Sequence, residues 1–152
     1  MEVDTVSKTP IVILMADDDA DDREMTKEAF EISRLANDLR FVVDGVDLMD
    51  YLKHRGKYAD PAQFPRPGII LLDLNMPKKD GREALAEIRE DPELTDIPVI
   101  ILTTSMEEED IQRSYSLHAN SYITKPVTFE GLVGVVTDLG RYWLEIVELP
   151  HA

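Results

Sequence analysis

The sequence predicts an α/β domain built around a parallel sheet of five strands with helices on both faces. Two observations lead to this fold class. Short apolar runs alternate with amphipathic stretches along the 152-residue chain, and an uninterrupted apolar run is typical of a strand buried on both faces. The chain also carries no internal repeat and no low-complexity tract. Because crossovers between parallel strands are right-handed, we expect one doubly wound domain with five helices.

Five short runs are assigned as strands. The first is a continuous apolar run, as expected of a central strand buried on both faces. The second closes at the turn signal Asp44-Gly45. The predicted strands, in chain order, are Ile11–Ala16, Leu39–Asp44, Ile69–Asp73, Ile97–Thr103 and Ser121–Thr124.

Five helices are predicted between and after these strands. The first carries one apolar stripe at helical spacing, and the fourth has an acidic start that suits the helix dipole. The stripe of the first helix consists of Met25, Ala29, Ile32 and Leu35. The predicted helices are Asp22–Ala36, Val46–Arg55, Arg82–Asp91, Glu107–His118 and a last helix from near Thr128 to about Glu148.

Composition limits the class of function. The net charge is −15, so the surface repels phosphate backbones and we expect no nucleic acid partner. No apolar run approaches the roughly 20 residues of a membrane helix. Cysteine is absent, and the N-terminus lacks a signal-peptide pattern. We therefore expect a cytoplasmic protein without membrane association, with one domain over residues 11–148 and tails at 1–10 and 149–152.

Polar residues collect where the predicted strands end. Asp17 and Asp18 follow the first strand, Asp73 ends the third, Thr103 ends the fourth and Lys125 follows the fifth. Ligands of open α/β sheets bind beyond these carboxyl ends. Three carboxylates meeting there repel one another unless a cation lies between them, and oxygen ligands without thiols favour Mg²⁺.

Such a site suits phosphoryl chemistry. Mg²⁺ commonly joins protein carboxylates to a phosphate, Lys125 supplies a positive charge and Thr103 a hydroxyl donor. An aspartate held there is able to act as a nucleophile and form an aspartyl-phosphate. The neighbouring Asp19, Asp21 and Asp22 are interpreted as a solvated helix start, since aspartate caps helices and favours their first turn.

Four motifs in chain order resemble the receiver domain of two-component response regulators. They are "DD" after the first strand, "LLDLNMPKKDG" after the third, "LTTS" after the fourth and "YITKP" after the fifth. The resemblance spans residues 11–147 and implies the flavodoxin-like strand order 2-1-3-4-5. It also implies a phosphoprotein that takes a phosphoryl group from a histidine kinase and catalyses only its own phosphorylation and dephosphorylation, and so is not an enzyme.

The resemblance assigns a role to each matching residue. Asp73 is the implied phospho-acceptor, Asp18 a direct Mg²⁺ ligand, Asp17 a ligand through water, and Asn75 a ligand through its backbone carbonyl. Lys125 is implied to pair with the phosphate. The implied switch pair is Thr103 and Tyr122, in which the hydroxyl moves toward the phosphoryl group and the aromatic ring turns inward.

A narrower resemblance concerns residues 81–126 and the ending "YWLEIVELP". These are similar to the stand-alone regulators of phytochrome-type histidine kinases. The similarity implies a bacteriophytochrome-type kinase as partner and a homodimer formed through the fourth helix, fifth strand and fifth helix. The last helix has too many apolar residues for one buried stripe. Its candidate interface residues are Tyr142, Trp143, Leu144 and Val147.

Several functions remain open at this point. Output through a partner protein, a change of dimer state or onward transfer of the phosphate all agree with the residues. So does a phosphate sink or a docking module without output of its own. The alternative from another class is a Mg²⁺-dependent phosphatase acting on small molecules.

Overall fold

The computed structural model describes residues 11–33, 37–74, 76–103, 121–124 and 128–142. Within these ranges the chain forms five strands and four α-helices. The strands are β1 Val12–Ala16, β2 Asp38–Val42, β3 Ile69–Leu72, β4 Val99–Thr103 and β5 Ser121–Thr124. The helices are α1 Ala20–Ile32, α2 Gly45–Leu52, α3 Gly81–Glu90 and α4 Phe129–Tyr142. The predicted helix over 107–118 lies outside the described residues.

The strands form a single parallel sheet in the order β2-β1-β3-β4-β5. This is the strand order that the receiver resemblance implies, and the predicted parallel α/β class is confirmed. The register of the central pair matters most for function. Ala16 of β1 lies opposite Leu72 of β3, so the aspartates that follow these two residues leave the sheet side by side.

Apolar side chains alternate between two cores, one on each face of the sheet. Along β1, Leu14 and Ala16 belong to the core beneath α2 and α3, whereas Ile13 and Met15 belong to the core beneath α1 and α4. All of these side chains are buried. Burial of one large aliphatic side chain contributes about 1.5–3 kcal/mol, so β1 is held firmly from both faces.

The buried face of α1 differs from the prediction. Met25 and Ile32 are 38% and 58% exposed, and Leu35 lies outside the described residues. Ala29 is buried as predicted, and the other buried residues of this helix are Thr26 and Phe30. The prediction was therefore wrong at Met25 and Ile32. It missed Thr26 because polar residues were left out of the stripe, yet the Thr26 hydroxyl donates to the Asp22 carbonyl at 2.8 Å and is satisfied within its own helix.

The observed bounds of α1 and β2 also differ from the predicted ones. Helix α1 begins two residues before the predicted start because the Asp19 side chain caps it. Strand β2 ends at Val42, and Asp44 caps α2 instead of closing the strand. Among the described helices, none has both the length and the apolar character of a membrane span.

Candidate functional site

Three carboxylates meet at the carboxyl edge of the sheet. Asp17 and Asp18 directly follow β1, and Asp73 directly follows β3. One carboxylate oxygen from each lies within 4.8 Å of those of the other two. The meeting is a consequence of the register, since β1 and β3 are hydrogen-bonded neighbours that end together.

The burial of these groups sets the electrostatics of the site. Asp17 is fully buried, Asp73 is 8% exposed, and Asp18 is exposed. Three negative charges this close disfavour one another, most strongly where burial lowers the local dielectric constant. A hard divalent cation relieves that repulsion, and a set of carboxylate oxygens is the donor chemistry that Mg²⁺ prefers. The residues present therefore fit a magnesium ion.

Backbone hydrogen bonds hold Asp17 in place. Its N–H donates to the Val42 carbonyl at 3.1 Å, which continues the β1–β2 ladder by one residue. The Asp17 carboxylate accepts the Asp19 N–H at 2.9 Å, and the Arg23 guanidinium donates to the Asp17 carbonyl at 2.8 Å. The sequence analysis did not identify Arg23, because a single arginine in an acidic segment carries no recognisable motif.

Asp73 is fixed in the same manner on the other strand. Its N–H donates to the Ala16 carbonyl at 3.0 Å, and the Gly81 N–H donates to the Leu74 carbonyl at 3.0 Å. Leu74 and Met76 are buried beneath the loop that leads to α3. The segment after Asp73 thus turns back over the core and enters α3 at Gly81.

The other predicted site residues divide between described and undescribed parts of the chain. Thr103 is the last residue of β4 and Tyr122 lies in β5, although their side chains are not described. Thr103 pairs with Thr124, so β4 and β5 also end side by side, one residue before Lys125. Of the remaining predicted residues, Tyr142 is the last residue of α4. Those outside the described residues are Asn75, Lys125, Trp143, Leu144 and Val147.

A cavity of about 250 Å³ lies beyond the end of β2. Lys78, from the loop after Asp73, lies 3.6 Å from the Asp44 carboxylate. The Tyr58 hydroxyl donates to Asp47 at 2.7 Å, and burial together with this hydrogen bond raises the pKa of the Tyr58 phenol above its ordinary value of 10. The cavity is lined by Val43, Asp44, Val46, Asp47, Asp50, Lys57 and Lys78.

Comparison with known proteins identifies a family with this arrangement. The model of the response regulator receiver domain matches residues 13–137. Response regulator Rcp1 of Synechocystis sp. is 44% identical over 146 residues, which are 96% of this chain and 97% of Rcp1.

Solved structures agree with that match. The phosphorylated cyanobacterial phytochrome response regulator RcpA superimposes with a TM-score of 0.82 at 43% identity, over 90% of this chain and 95% of RcpA. The Mn²⁺-bound form of Rcp1 gives 0.81 at 44% identity, over 93% of this chain and all of Rcp1. Response regulator RPA3017, in red light signaling of R. palustris, gives 0.84 at 35% identity, over 95% and 100% of the two chains.

Proposed function

Because this chain belongs to the family of response regulator receiver domains, we propose that Asp73 is the residue that accepts its phosphoryl group. Receiver domains are phospho-accepting signalling domains of two-component systems, not conventional enzymes; they work with sensor histidine kinases and bind Mg²⁺ at an acidic pocket. One observation supports Asp73 as the residue that accepts the phosphoryl group. Of the three carboxylates that converge, it alone comes from β3, facing the acid pair that follows β1.

The proposed transfer is a single in-line displacement. A carboxylate oxygen of Asp73 bonds to phosphorus as the bond from phosphorus to the kinase imidazole breaks, and the imidazole nitrogen keeps the electron pair and takes up a proton. Most of the catalysis is then positioning and charge stabilisation. The hydrogen bond from the Asp73 N–H to Ala16 fixes the nucleophile relative to the sheet. Hydrolysis follows when water attacks phosphorus in line, releasing phosphate and restoring the carboxylate.

The residues that hold the metal are proposed from the same cluster. Asp18 and Asp73 would contact Mg²⁺ directly, Asp17 through water, and Asn75 through its backbone carbonyl. When bound, the ion neutralises charge that develops on the phosphoryl oxygens. Asp17 is buried and held by three hydrogen bonds, which suits a ligand whose position must not change. Lys125 would meet a further phosphoryl oxygen from the neighbouring end of β5.

We propose a phytochrome-type histidine kinase as the source of the phosphate. The similarity to RcpA and to RPA3017 supports this partner. The surface that would select the kinase is the outer face of α1. Met25 and Ile32 are both large, apolar and exposed, and their spacing of seven residues places them on one side of the helix. Neighbouring exposed apolar side chains of this kind suit the docking of a partner.

The proposed output is a change in conformation in the cytoplasm. Phosphorylation would draw the Thr103 hydroxyl inward and turn Tyr122, which shifts the population between two arrangements of the face around β5 and the last helix. That face would also form a homodimer through Tyr142, Trp143, Leu144 and Val147. Onward phosphotransfer and a phosphate sink are the alternatives to this output.

Intact mass after incubation with acetyl phosphate tests the acceptor. Wild type should gain one phosphoryl group only when Mg²⁺ is present, and Asp73→Asn should gain none. Asp60→Asn is the matched control, because Asp60 is an exposed aspartate of the 56–68 loop and should label like wild type. Continuous release of phosphate from a generic ester would instead favour the phosphatase, and no adduct on wild type would favour a docking module.

Phosphotransfer from purified kinases tests the partner. We expect a phytochrome-type kinase to label the chain faster than a histidine kinase of another class. Ile32→Asp should slow this transfer while leaving labelling by acetyl phosphate at the wild-type rate, because only the docking face is altered. Equal rates from both kinases would contradict the proposed partner without affecting the assignment of Asp73.

A further inference from the structure

Gly45, the first residue of α2, touches the loop that follows Asp73. A Cβ atom built on Gly45 would lie 2.0 Å from the carbonyl oxygen of Lys79 and 2.6 Å from its carbonyl carbon. Both atoms belong to the backbone, so a side chain at Gly45 cannot be accommodated by a rotamer change. The backbone of the loop, the start of α2 or both have to shift.

The conformation of Gly45 itself does not require glycine. Left-handed φ angles occur at His54, Gly56 and Lys78, and Gly45 is not among the described residues that adopt one. At a helical position without such a need, alanine is favoured over glycine by about 1 kcal/mol. The close approach of Lys79 is therefore the reason for a glycine at this position.

Other contacts attach the same loop to the start of α2. Lys78 adopts a left-handed φ of 68°, and its ammonium lies 3.6 Å from the Asp44 carboxylate. Asp44 in turn caps α2 by accepting the Asp47 N–H at 2.7 Å. Lys79 also forms an ion pair with Glu87 of α3. The loop therefore rests on α2 on one side and on α3 on the other.

The far end of the loop returns to the backbone of Asp73. A Cβ atom on Gly81 would lie 2.3 Å from the Asp73 carbonyl oxygen, and the Gly81 N–H donates to the Leu74 carbonyl at 3.0 Å. The two ends of the loop, at Asp73 and Gly81, are therefore in contact. We expect a displacement forced at Lys79 to be passed to the Asp73 backbone through this contact.

We propose that Gly45 is a positioning residue for phosphoryl transfer: the absence of its side chain allows the loop to seat on α2 and thereby holds Asp73 where it faces Asp17 and Asp18. This inference rests on the proposed role of Asp73 as acceptor. Gly45 touches no reacting atom and acts only through the backbone of Lys79. Misplacement of a reacting group by about 1 Å costs up to roughly 100-fold in rate, so even a small shift of the loop is measurable.

The test compares Gly45→Ala with Gly134→Ala. Gly134 lies inside α4 and a Cβ atom there meets nothing within 4 Å, so this control makes the same chemical change without a contact. We would measure the rate of labelling by acetyl phosphate at saturating Mg²⁺, the Mg²⁺ dissociation constant by calorimetry, and the melting temperature. All measurements of rate and affinity are made well below the melting temperature of each variant.

Gly45→Ala should label roughly 10- to 100-fold more slowly than wild type and bind Mg²⁺ more weakly, and Gly134→Ala should match wild type in both. A merely structural role would lower the melting temperature of Gly45→Ala but leave the rate and the Mg²⁺ affinity unchanged, and that result would overturn the proposal. If wild type itself fails to label, or Asp73→Asn labels normally, the proposed function fails and not only this inference.

A second pair keeps the test decisive if Gly45→Ala does not fold. Proline fixes φ near −65°, whereas Lys78 needs a φ of 68°, so Lys78→Pro displaces the loop from its exposed side. Lys78→Gly keeps the conformation accessible and removes the same ammonium. We expect slower labelling with Lys78→Pro than with Lys78→Gly. Equal rates from this pair would show that the position of the loop does not matter, and would contradict the proposal.

Discussion

Two groups of aspartates in this chain have different roles. The capping group sits at helix starts, where each side chain accepts one or more backbone N–H groups of the helix that it begins. The convergent group sits at strand ends, where one oxygen from each residue lies within 4.8 Å of the others. The capping group is Asp19, Asp44 and Asp80; the convergent group is Asp17, Asp18 and Asp73.

The difference teaches that position relative to an element boundary decides what a charge does. Asp18 and Asp19 are adjacent in sequence, yet Asp19 meets the positive end of α1 and Asp18 meets two other carboxylates. A helix N-terminus stabilises an anion by itself. Three anions at a sheet edge have no such stabilisation from one another, so the convergent group needs a cation that the capping group does not.

The largest expected difference between the two groups is in the rate at which Asp73 is labelled when one of their members is replaced. Asp18→Asn should slow labelling of Asp73 by acetyl phosphate roughly 100-fold, because loss of a metal contact removes several kcal/mol of charge stabilisation. The measurement is the initial rate by intact mass at fixed Mg²⁺. Asp80→Asn, which keeps a capping side chain, should label within about twofold of wild type, as expected of a surface change that disturbs no contact of the site. An equal loss of labelling rate in Asp18→Asn and Asp80→Asn would contradict the different roles of the two groups.

A smaller effect is expected on the free energy of unfolding when a residue of the capping group is replaced. Asp80→Ala removes the hydrogen bond to the Glu83 N–H and should lower the free energy of unfolding by about 1 kcal/mol. Urea denaturation without Mg²⁺ measures this loss. Asp80→Asn should recover most of it, since asparagine caps helices as well as aspartate does. If Asp80→Ala is as stable as wild type, the capping assignment is wrong.

An effect of similar size at pH 8, which becomes smaller at higher pH, concerns Asp47 in the first turn of α2. Tyr58→Phe removes the hydrogen bond to Asp47 and should lower the free energy of unfolding by about 1 kcal/mol at pH 8. Folding raises the pKa of the Tyr58 phenol above its ordinary value of 10. The contribution of the phenol is therefore complete below pH 10 and is lost as pH rises further.

Urea denaturation at pH 8 and pH 10.5 checks the sign. The difference in stability between wild type and Tyr58→Phe should be smaller at pH 10.5, because the unfolded phenol of wild type is then largely ionised while phenylalanine cannot ionise. A difference that grows between the two pH values would mean that the phenol is not protected by folding.

Much of the fold and of the acidic site was predictable from the sequence. Apolar runs located the sheet, and aspartates directly after the first and third runs located the site, because both features depend on short stretches of chain. The face of α1 was not predictable from hydrophobicity alone. Thr26 can be buried because its hydroxyl donates a hydrogen bond to the Asp22 carbonyl. A pattern of apolar residues does not reveal that hydrogen bond.

Contacts between segments that are far apart in the chain were also not predictable from the sequence. Gly45 and Lys79 are far apart along the chain, and only the assembled sheet brings α2 against the loop after Asp73. The sequence indicated that Gly45 is part of a turn after the second strand. The contact that excludes a side chain at Gly45 comes instead from Lys79, in the loop after Asp73. The approach of the Lys78 ammonium to within 3.6 Å of the Asp44 carboxylate likewise depends on the folded chain.

The central claim is that the convergent aspartates, and not the capping ones, hold a magnesium ion. Thermal unfolding with and without Mg²⁺ tests it most directly, in wild type, Asp17→Asn and Asp80→Asn. At Mg²⁺ about 100-fold above the dissociation constant, wild type and Asp80→Asn should each gain about 2.7 kcal/mol, and Asp17→Asn should gain little. If Asp17→Asn gains as much as wild type, or if no variant responds to Mg²⁺, the carboxylates at the end of β1 do not form the metal site.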